Sequence, residues 1–205
     1  MKNFDDQLHQ HKERLVRDVG IDNQFLPSVC TTIWEELAQL TDEELLKIES
    51  ASPVKLETRI EELSAFNMMM DKVNYSELRK HPEIIRSQVI VQNYISFVYL
   101  KDNCFDVTKK IISTGTLTKR ICKFLLNNPV RAFRNAIAHG NWQYTFNPSG
   151  IIYFAHKGES KPDIETEEMS EFLVEQDELN FWQALSRATA YTIYTYIIEN
   201  KKKYS

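Results

Sequence analysis

The chain has 205 residues, a size that fits one domain, or one domain with an appendage, built around a sizeable core. Hydrophobic residues make up 42% of it and charged residues 26%, with only five glycines and six prolines, which excludes disorder, collagen and glycine-rich loops that bind phosphates. The net charge is −4, but the charges are unevenly distributed along the chain. A basic stretch, 101–140, has eight bases and two acids. It lies between two acidic stretches, 31–63 with nine acids and three bases and 159–180 with nine acids and one base.

Helical periodicity and helix-start signals cover most of the chain. Thr41-Asp42-Glu43-Glu44 is a capping box, and Ser52-Pro53 and Asn128-Pro129 each place a capping residue before a proline. We therefore predict helices at about 3–19, 28–40, 42–50, 53–73, 82–103, 106–113, 117–127, 130–139 and 178–200.

One segment breaks the helical pattern before the last long helix. Residues 141–146 alternate, Asn147-Pro148-Ser149-Gly150 has turn chemistry, and 151–156 form a second apolar run. This pattern predicts a β-hairpin at about 141–156, and Phe172-Leu173-Val174 indicates a third short strand. The predicted fold class is mainly α with an inserted hairpin.

The cysteines and the apolar segments indicate the compartment. Cys30, Cys104 and Cys122 are odd in number and widely spaced, which is typical of free thiols in a reducing compartment. No apolar stretch approaches the length of a membrane span, and the acidic, polar N-terminus does not resemble a signal peptide. We expect a cytoplasmic protein without a membrane partner.

The helix predicted at 130–139 has two distinct faces. Its apolar face holds Val130, Phe133 and Ile137, and Gly140 is a typical helix terminator. The opposite, polar face surrounds Ala138 and holds Arg131, Arg134, Asn135 and His139. An ordinary surface helix would show the same pattern, so the helix by itself leaves a structural and a functional interpretation open.

The segment Arg134-Asn135-Ala136-Ile137-Ala138-His139 resembles the signature of the HEPN superfamily, in which an arginine and a polar residue precede a histidine. The resemblance covers about 82–200, which divides the chain into an N-terminal helical extension, 1–80, and a HEPN-like domain, 81–205, unless the two form one continuous domain. It implies a HEPN-like helical bundle, usually homodimeric, and often metal-independent RNA cleavage in prokaryotic defence or toxin systems.

The resemblance assigns roles to three residues. Arg134 and His139 match the catalytic pair, and Asn135 matches the polar residue that tunes them. In relatives silenced by modification of a tyrosine, that tyrosine lies two residues after the histidine. Asn141 stands there in this chain, which argues against regulation by tyrosine modification at this position.

These residue types suit RNA cleavage without a metal, because RNA supplies its own nucleophile, the 2′-hydroxyl. Histidine exchanges protons near neutral pH, and arginine presents a charged fork to phosphate oxygens. One histidine cannot be base and acid in the same step, so a homodimer would contribute one from each subunit. The expected products are a 2′,3′-cyclic phosphate and a 5′-hydroxyl.

The basic stretch supplies the candidates for RNA binding, which are Lys119, Arg120, Lys123 and Arg131. It could equally pack against the acidic stretches within the fold or between subunits. We predict a HEPN-type endoribonuclease with a possible regulatory protein partner, and the alternative is a non-catalytic helical module that binds protein or nucleic acid. We expect no cofactor and no metal site, since His9 and His11 do not share one helical stripe.

Overall fold

A computed structural model describes residues 10, 12–15, 17, 25–71, 90–127, 129–145, 150–155 and 169–201. Beyond residue 24, its first helices are α1 (Phe25–Leu37), α2 (Asp42–Ser50) and α3 (Leu56–Asp71). The predicted capping box is present at the start of α2. The hydroxyl of Thr41 accepts the Glu44 amide at 3.3 Å, and the Glu44 carboxylate accepts the Thr41 amide at 2.9 Å. Two amides that the first turn of a helix leaves unpaired are thereby satisfied.

The first proline-marked helix begins slightly later than predicted, whereas the second begins at Val130, as predicted. The hydroxyl of Ser52 donates to the carbonyl of Val54 at 2.7 Å, a local turn that competes with helix formation, and α3 begins only at Leu56. Pro129 immediately precedes its helix instead of opening it, and Asn128 lies outside the described residues.

Residues 90–111 form one continuous helix, α4, where the sequence predicted a break between 103 and 106. The segment contains no glycine or proline that would end a helix. It continues instead through two π-helical segments, Tyr94–Tyr99 and Lys101–Phe105, before an α-helical end. The amide of Asp106 donates to the carbonyl of Lys101, five residues back. Such wide turns are rare and often lie at functional sites.

A three-stranded antiparallel sheet follows the helices α5 (Leu117–Leu126) and α6 (Val130–His139). Its strands, in spatial order, are β1 (Trp142–Tyr144), β2 (Gly150–Ala155) and β3 (Ser170–Glu175). A Cβ on Gly150 would lie 2.6 Å from the carbonyl oxygen of Val174, so this position requires glycine. The predicted hairpin and the predicted third strand are both confirmed.

The last helix, α7 (Gln176–Lys201), lies at the centre of one hydrophobic core. Trp182 is 1% exposed and packs on Phe124 of α5, with ring centroids 4.2 Å apart. Tyr196 meets Trp34 of α1 edge-on at 4.9 Å. The core thus includes side chains from both sides of the boundary predicted near residue 80. The mainly helical fold is confirmed, and none of the described helices is long and apolar enough to cross a membrane.

Candidate functional site

The predicted site helix, α6, is held between α4 and the sheet. Its Phe133 is 3% exposed and meets Phe97 of α4 and Tyr153 of β2, both edge-on, at centroid distances of 5.8 and 5.2 Å. Val130 and Ile137 are buried on the same side. Because the apolar face is fixed on two elements, the opposite face of α6 has a defined orientation at the surface.

The C-terminus of α6 is tied directly to the sheet. Gly140 has a φ of +72°, the left-handed conformation that glycine adopts at little cost. The amide of Asn141 then donates to the carbonyl of Ala136 at 2.9 Å, and the Asn141 carbonyl accepts the amide of Phe154 from β2, also at 2.9 Å. The chain segment after His139 is therefore held from both sides.

Three of the predicted site residues form an exposed ridge along α6. Arg131, Asn135 and His139 are each exposed and follow one another at intervals of four residues. Residues at this spacing are neighbours on a helix surface. The ridge places a cation, an amide and an imidazole in line, with His139 as the last residue of the helix.

Arg134 is buried, which corrects the expectation that it lies exposed on the polar face. Only 6% of the residue is accessible. It follows Val130 by four residues, and Val130 is itself buried, so Arg134 lies at the border where the helix enters the core. Its Nη2 donates to the side-chain oxygen of Asn135 at a long 3.4 Å. Its Nη1 has no hydrogen-bond partner among the described residues.

The pKa of Arg134 reflects its burial and the charges around it. Burial lowers the pKa of Arg134 below its usual value, and the positive charge of Arg131 lowers the pKa further, whereas Asp102 of α4 raises it. Arginine nevertheless stays protonated near neutral pH. A buried cation with an unused donor and a second cation nearby would be stabilised by a bound anion.

The basic residues predicted on α5 differ in what they contact. Lys119 donates from Nζ to the carbonyl of Ile112 at 2.9 Å, which ties α5 to the end of α4. Lys123 and Arg120 have exposed side chains one turn apart. Lys123 on α5 and Arg131 on α6 are thus exposed cations, whereas the ammonium group of Lys119 is used in a hydrogen bond within the fold.

Sequence reasoning missed Asp102, whose charge acts on Arg134 from a different helix. Asp102 is exposed and forms an ion pair with its neighbour Lys101. No local pattern links positions 102 and 134, since only the packing of α4 against α6 brings them near one another. His9 and His11 lie outside the described residues, and no group of three His, Cys, Asp or Glu side chains in the described ranges is arranged to hold a metal ion.

Comparison with family models, with curated proteins and with solved structures finds no match for this chain.

Proposed function

We propose that this protein is a metal-independent endoribonuclease of the HEPN type, in which α6 supplies the catalytic residues. The observation that carries the proposal is the arrangement around Arg134: a buried guanidinium with an unused Nη1, bonded to Asn135, on the helix that ends in an exposed His139. A phosphate bound at the border of α6 would accept hydrogen bonds from this guanidinium, on the same helix as the imidazole.

Arg134 would stabilise the negative charge that accumulates on phosphorus as the 2′-hydroxyl attacks. A guanidinium that is already desolvated and held in place acts strongly on such charge, because little reorganisation is needed during the reaction. Asn135 would orient the fork through its 3.4 Å contact with Nη2. Its contribution is one of positioning, so its loss would cost less than that of the arginine.

His139 would transfer the proton. As general base it takes the proton from the 2′-hydroxyl, and the oxygen attacks phosphorus while the bond to the 5′-oxygen breaks. The leaving 5′-oxygen needs a proton from a general acid, which the His139 of a second copy would provide. We therefore propose a homodimer, with products that end in a 2′,3′-cyclic phosphate and a 5′-hydroxyl.

The biological role in this proposal follows from the motif resemblance. A prokaryotic defence or toxin-type ribonuclease, with RNA as substrate and a regulatory protein as partner, fits the residues 134–139. Asn141 occupies the place where modification-controlled relatives have a tyrosine, and its amide and carbonyl both hold the fold together. Control by a bound protein, rather than by modification at this position, is accordingly the regulation that we propose.

The test is RNA cleavage by purified full-length protein in the presence of a chelator. Wild type is expected to cleave, and His139→Ala to lose about 10²–10⁴-fold in rate, the usual contribution of general acid–base catalysis. Gln143→Ala, at an exposed position of β1, is the matched control and should cleave normally. Equal cleavage by wild type and His139→Ala would contradict the proposed role of His139, and no cleavage by either protein would leave the non-catalytic binding module as the better account.

A further inference from the structure

A row of aromatic side chains crosses all three strands of the sheet. The register places Trp142 of β1 opposite Tyr153 of β2, and Tyr153 opposite Phe172 of β3. Directly opposed residues share one face of a sheet, so the three rings lie on the same face. Tyr153 and Phe172 are stacked with centroids 5.4 Å apart, and Tyr153 meets Phe133 of α6 at 5.2 Å. The row therefore extends from the core beneath α6 towards Trp142.

Trp142 is the outer end of this row. In the described sheet β1 pairs with β2 alone, and Trp142 is partly exposed whereas Tyr153 is 0% exposed. Tyr144, two residues further on the same strand, meets the indole edge-on with centroids 5.2 Å apart, which restricts its orientation. A partly exposed aromatic ring that is held in place at a surface is the feature on which nucleic-acid bases stack.

Trp142 is also fixed close to the proposed proton-transfer residue. Only Gly140 and Asn141 separate Trp142 from His139. The Cα atoms of Trp142 and His139 are therefore at most about 11 Å apart. The two hydrogen bonds of Asn141, to Ala136 and from Phe154, prevent this link from changing its path. A base attached next to a phosphate at His139 is therefore within reach of the indole.

We propose that Trp142 stacks on an unpaired base next to the cleaved phosphate, and that the substrate is accordingly single-stranded RNA. The inference rests on the proposed function for the position of that phosphate, but stacking itself requires only binding. Bases in a duplex already stack on their neighbours, whereas unpaired bases present a free face to an aromatic side chain. Since every base has such a face, this contact selects unpaired RNA with little preference for sequence.

The experiment measures binding of the full chain to a 2′-O-methyl RNA, which lacks the attacking hydroxyl and cannot be cut by this mechanism. The RNA is used as a single strand and as a duplex of the same sequence. Trp142→Leu keeps an apolar side chain but removes the aromatic ring, and Trp142→Phe keeps a smaller aromatic ring. Trp34→Phe is the matched control, since Trp34 packs on Tyr196 of α7.

We expect Trp142→Leu to weaken single-strand binding roughly 5- to 150-fold, the range of base–aromatic stacking, and Trp142→Phe to recover part of it. Duplex binding and the Trp34→Phe variant should be unaffected. Binding of the single strand should quench indole fluorescence in wild type and in Trp34→Phe, but much less in Trp142→Phe. If circular dichroism shows that Trp142→Leu does not fold, the quenching comparison between Trp34→Phe and Trp142→Phe alone tests the stacking proposal.

Two results would overturn the stacking proposal: wild-type affinity in a folded Trp142→Leu variant, or an equal loss of affinity for single strand and duplex. Failure of the proposed function looks different. A protein that binds the single strand through Trp142 but cuts no RNA supports the stacking proposal and overturns the ribonuclease. A protein that cuts RNA with unchanged kcat/KM after Trp142→Leu overturns the stacking alone.

Discussion

Glu36 of α1 caps the first turn of α5 through Thr118, 82 residues further along the chain. Its Oε2 accepts the backbone amide of Thr118 at 2.8 Å and the hydroxyl of the same residue at 2.6 Å, and its Oε1 accepts the amide of Leu117 at 2.6 Å. Thr116 accepts the amide of Lys119 at 3.3 Å. Amides that the start of a helix leaves unpaired are satisfied here by a distant carboxylate.

We predict that Glu36→Ala lowers the free energy of unfolding by about 1.5–3 kcal/mol, the range for hydrogen bonds to a charged group. The loss arises because the amides of Leu117 and Thr118 are left without acceptors in a partly buried position. Urea denaturation followed by circular dichroism measures the change. Glu35→Ala alters the neighbouring, exposed glutamate and should stay within about 0.5 kcal/mol of wild type. Equal effects of the two variants would refute the capping role.

We predict that Arg134→Met does not destabilise the protein and raises its free energy of unfolding by about 1–3 kcal/mol, the cost of a buried donor without a partner. Arg134 is 6% exposed, and methionine fills a similar volume without a charge. Arg131→Met, on the exposed ridge, serves as the control and should change stability little. A loss of stability above about 1 kcal/mol in Arg134→Met alone would show that the guanidinium is a structural group.

The same variant tests whether the site binds an anion. A ligand that binds only the folded state stabilises it by an amount that grows with the logarithm of the ligand concentration once this exceeds Kd. Inorganic phosphate should therefore raise the Tm of wild type more than that of Arg134→Met, with sodium chloride at matched ionic strength as the reference. Identical increases in the two proteins would contradict an anion site at Arg134.

Binding of single-stranded RNA should depend strongly on salt because phosphate neutralisation releases counterions. For single strands each neutralised phosphate contributes about 0.7 to the slope of log K against log salt. Lys123→Ala and Arg131→Ala should each reduce that slope by about this amount. Lys47→Ala should not, because Lys47 lies in the acidic stretch and pairs with Glu43 at 2.7 Å. A slope that is unchanged in both basic variants would remove these residues from the RNA-binding surface.

Thiol reactivity should distinguish the three cysteines. Cys104 and Cys122 are both 0% exposed, and burial raises the pKa of Cys104 to about 12 and that of Cys122 well above its usual 9.0. Because the thiolate is the reactive form, we expect a thiol reagent at pH 8 to label only the partly exposed Cys30 in the native protein, and all three cysteines in the unfolded chain. Cys30→Ser should remove the native reaction. Rapid labelling of a second thiol in the folded wild type would contradict the burial of Cys104 and Cys122.

The raised pKa of Cys104 also fixes the sign of a pH effect. The unfolded thiol ionises around its usual 9.0 and the folded thiol only near 12. Burial of this group therefore favours folding fully below pH 9, and that contribution is lost as the pH rises from 9 to 12. Cys104→Ala should show a shallower loss of stability over this interval in urea titrations.

Features that depend on neighbouring residues could be predicted from the sequence. Thr41 and Glu44 fix the start of α2, and Gly140 fixes the end of α6, because capping is a local interaction. The alternation and turn residues after Gly140 likewise predicted the hairpin. The apolar and polar faces of α6 could also be predicted from the sequence. The extent to which neighbouring elements bury each face could not.

Features that depend on distant segments could not be predicted. Glu36 looked like one of two surface acids, and only the folded chain brings it to Thr118. Arg134 lies one turn from Val130, and its burial depends on elements that helical spacing does not describe. The π-turns of α4 have no local signal, since 90–111 is an ordinary helical sequence that widens where it packs.

Cleavage of a DNA oligonucleotide that contains one ribonucleotide, with chelator present, tests the proposed chemistry of His139 and Arg134 directly. If His139 and Arg134 act on the 2′-hydroxyl and its phosphate, wild type cuts only after the ribonucleotide and leaves a 2′,3′-cyclic phosphate and a 5′-hydroxyl, identified by mass spectrometry. His139→Ala and Arg134→Met should leave it intact. Cutting of the all-DNA control, or products with a 3′-hydroxyl, would contradict the account.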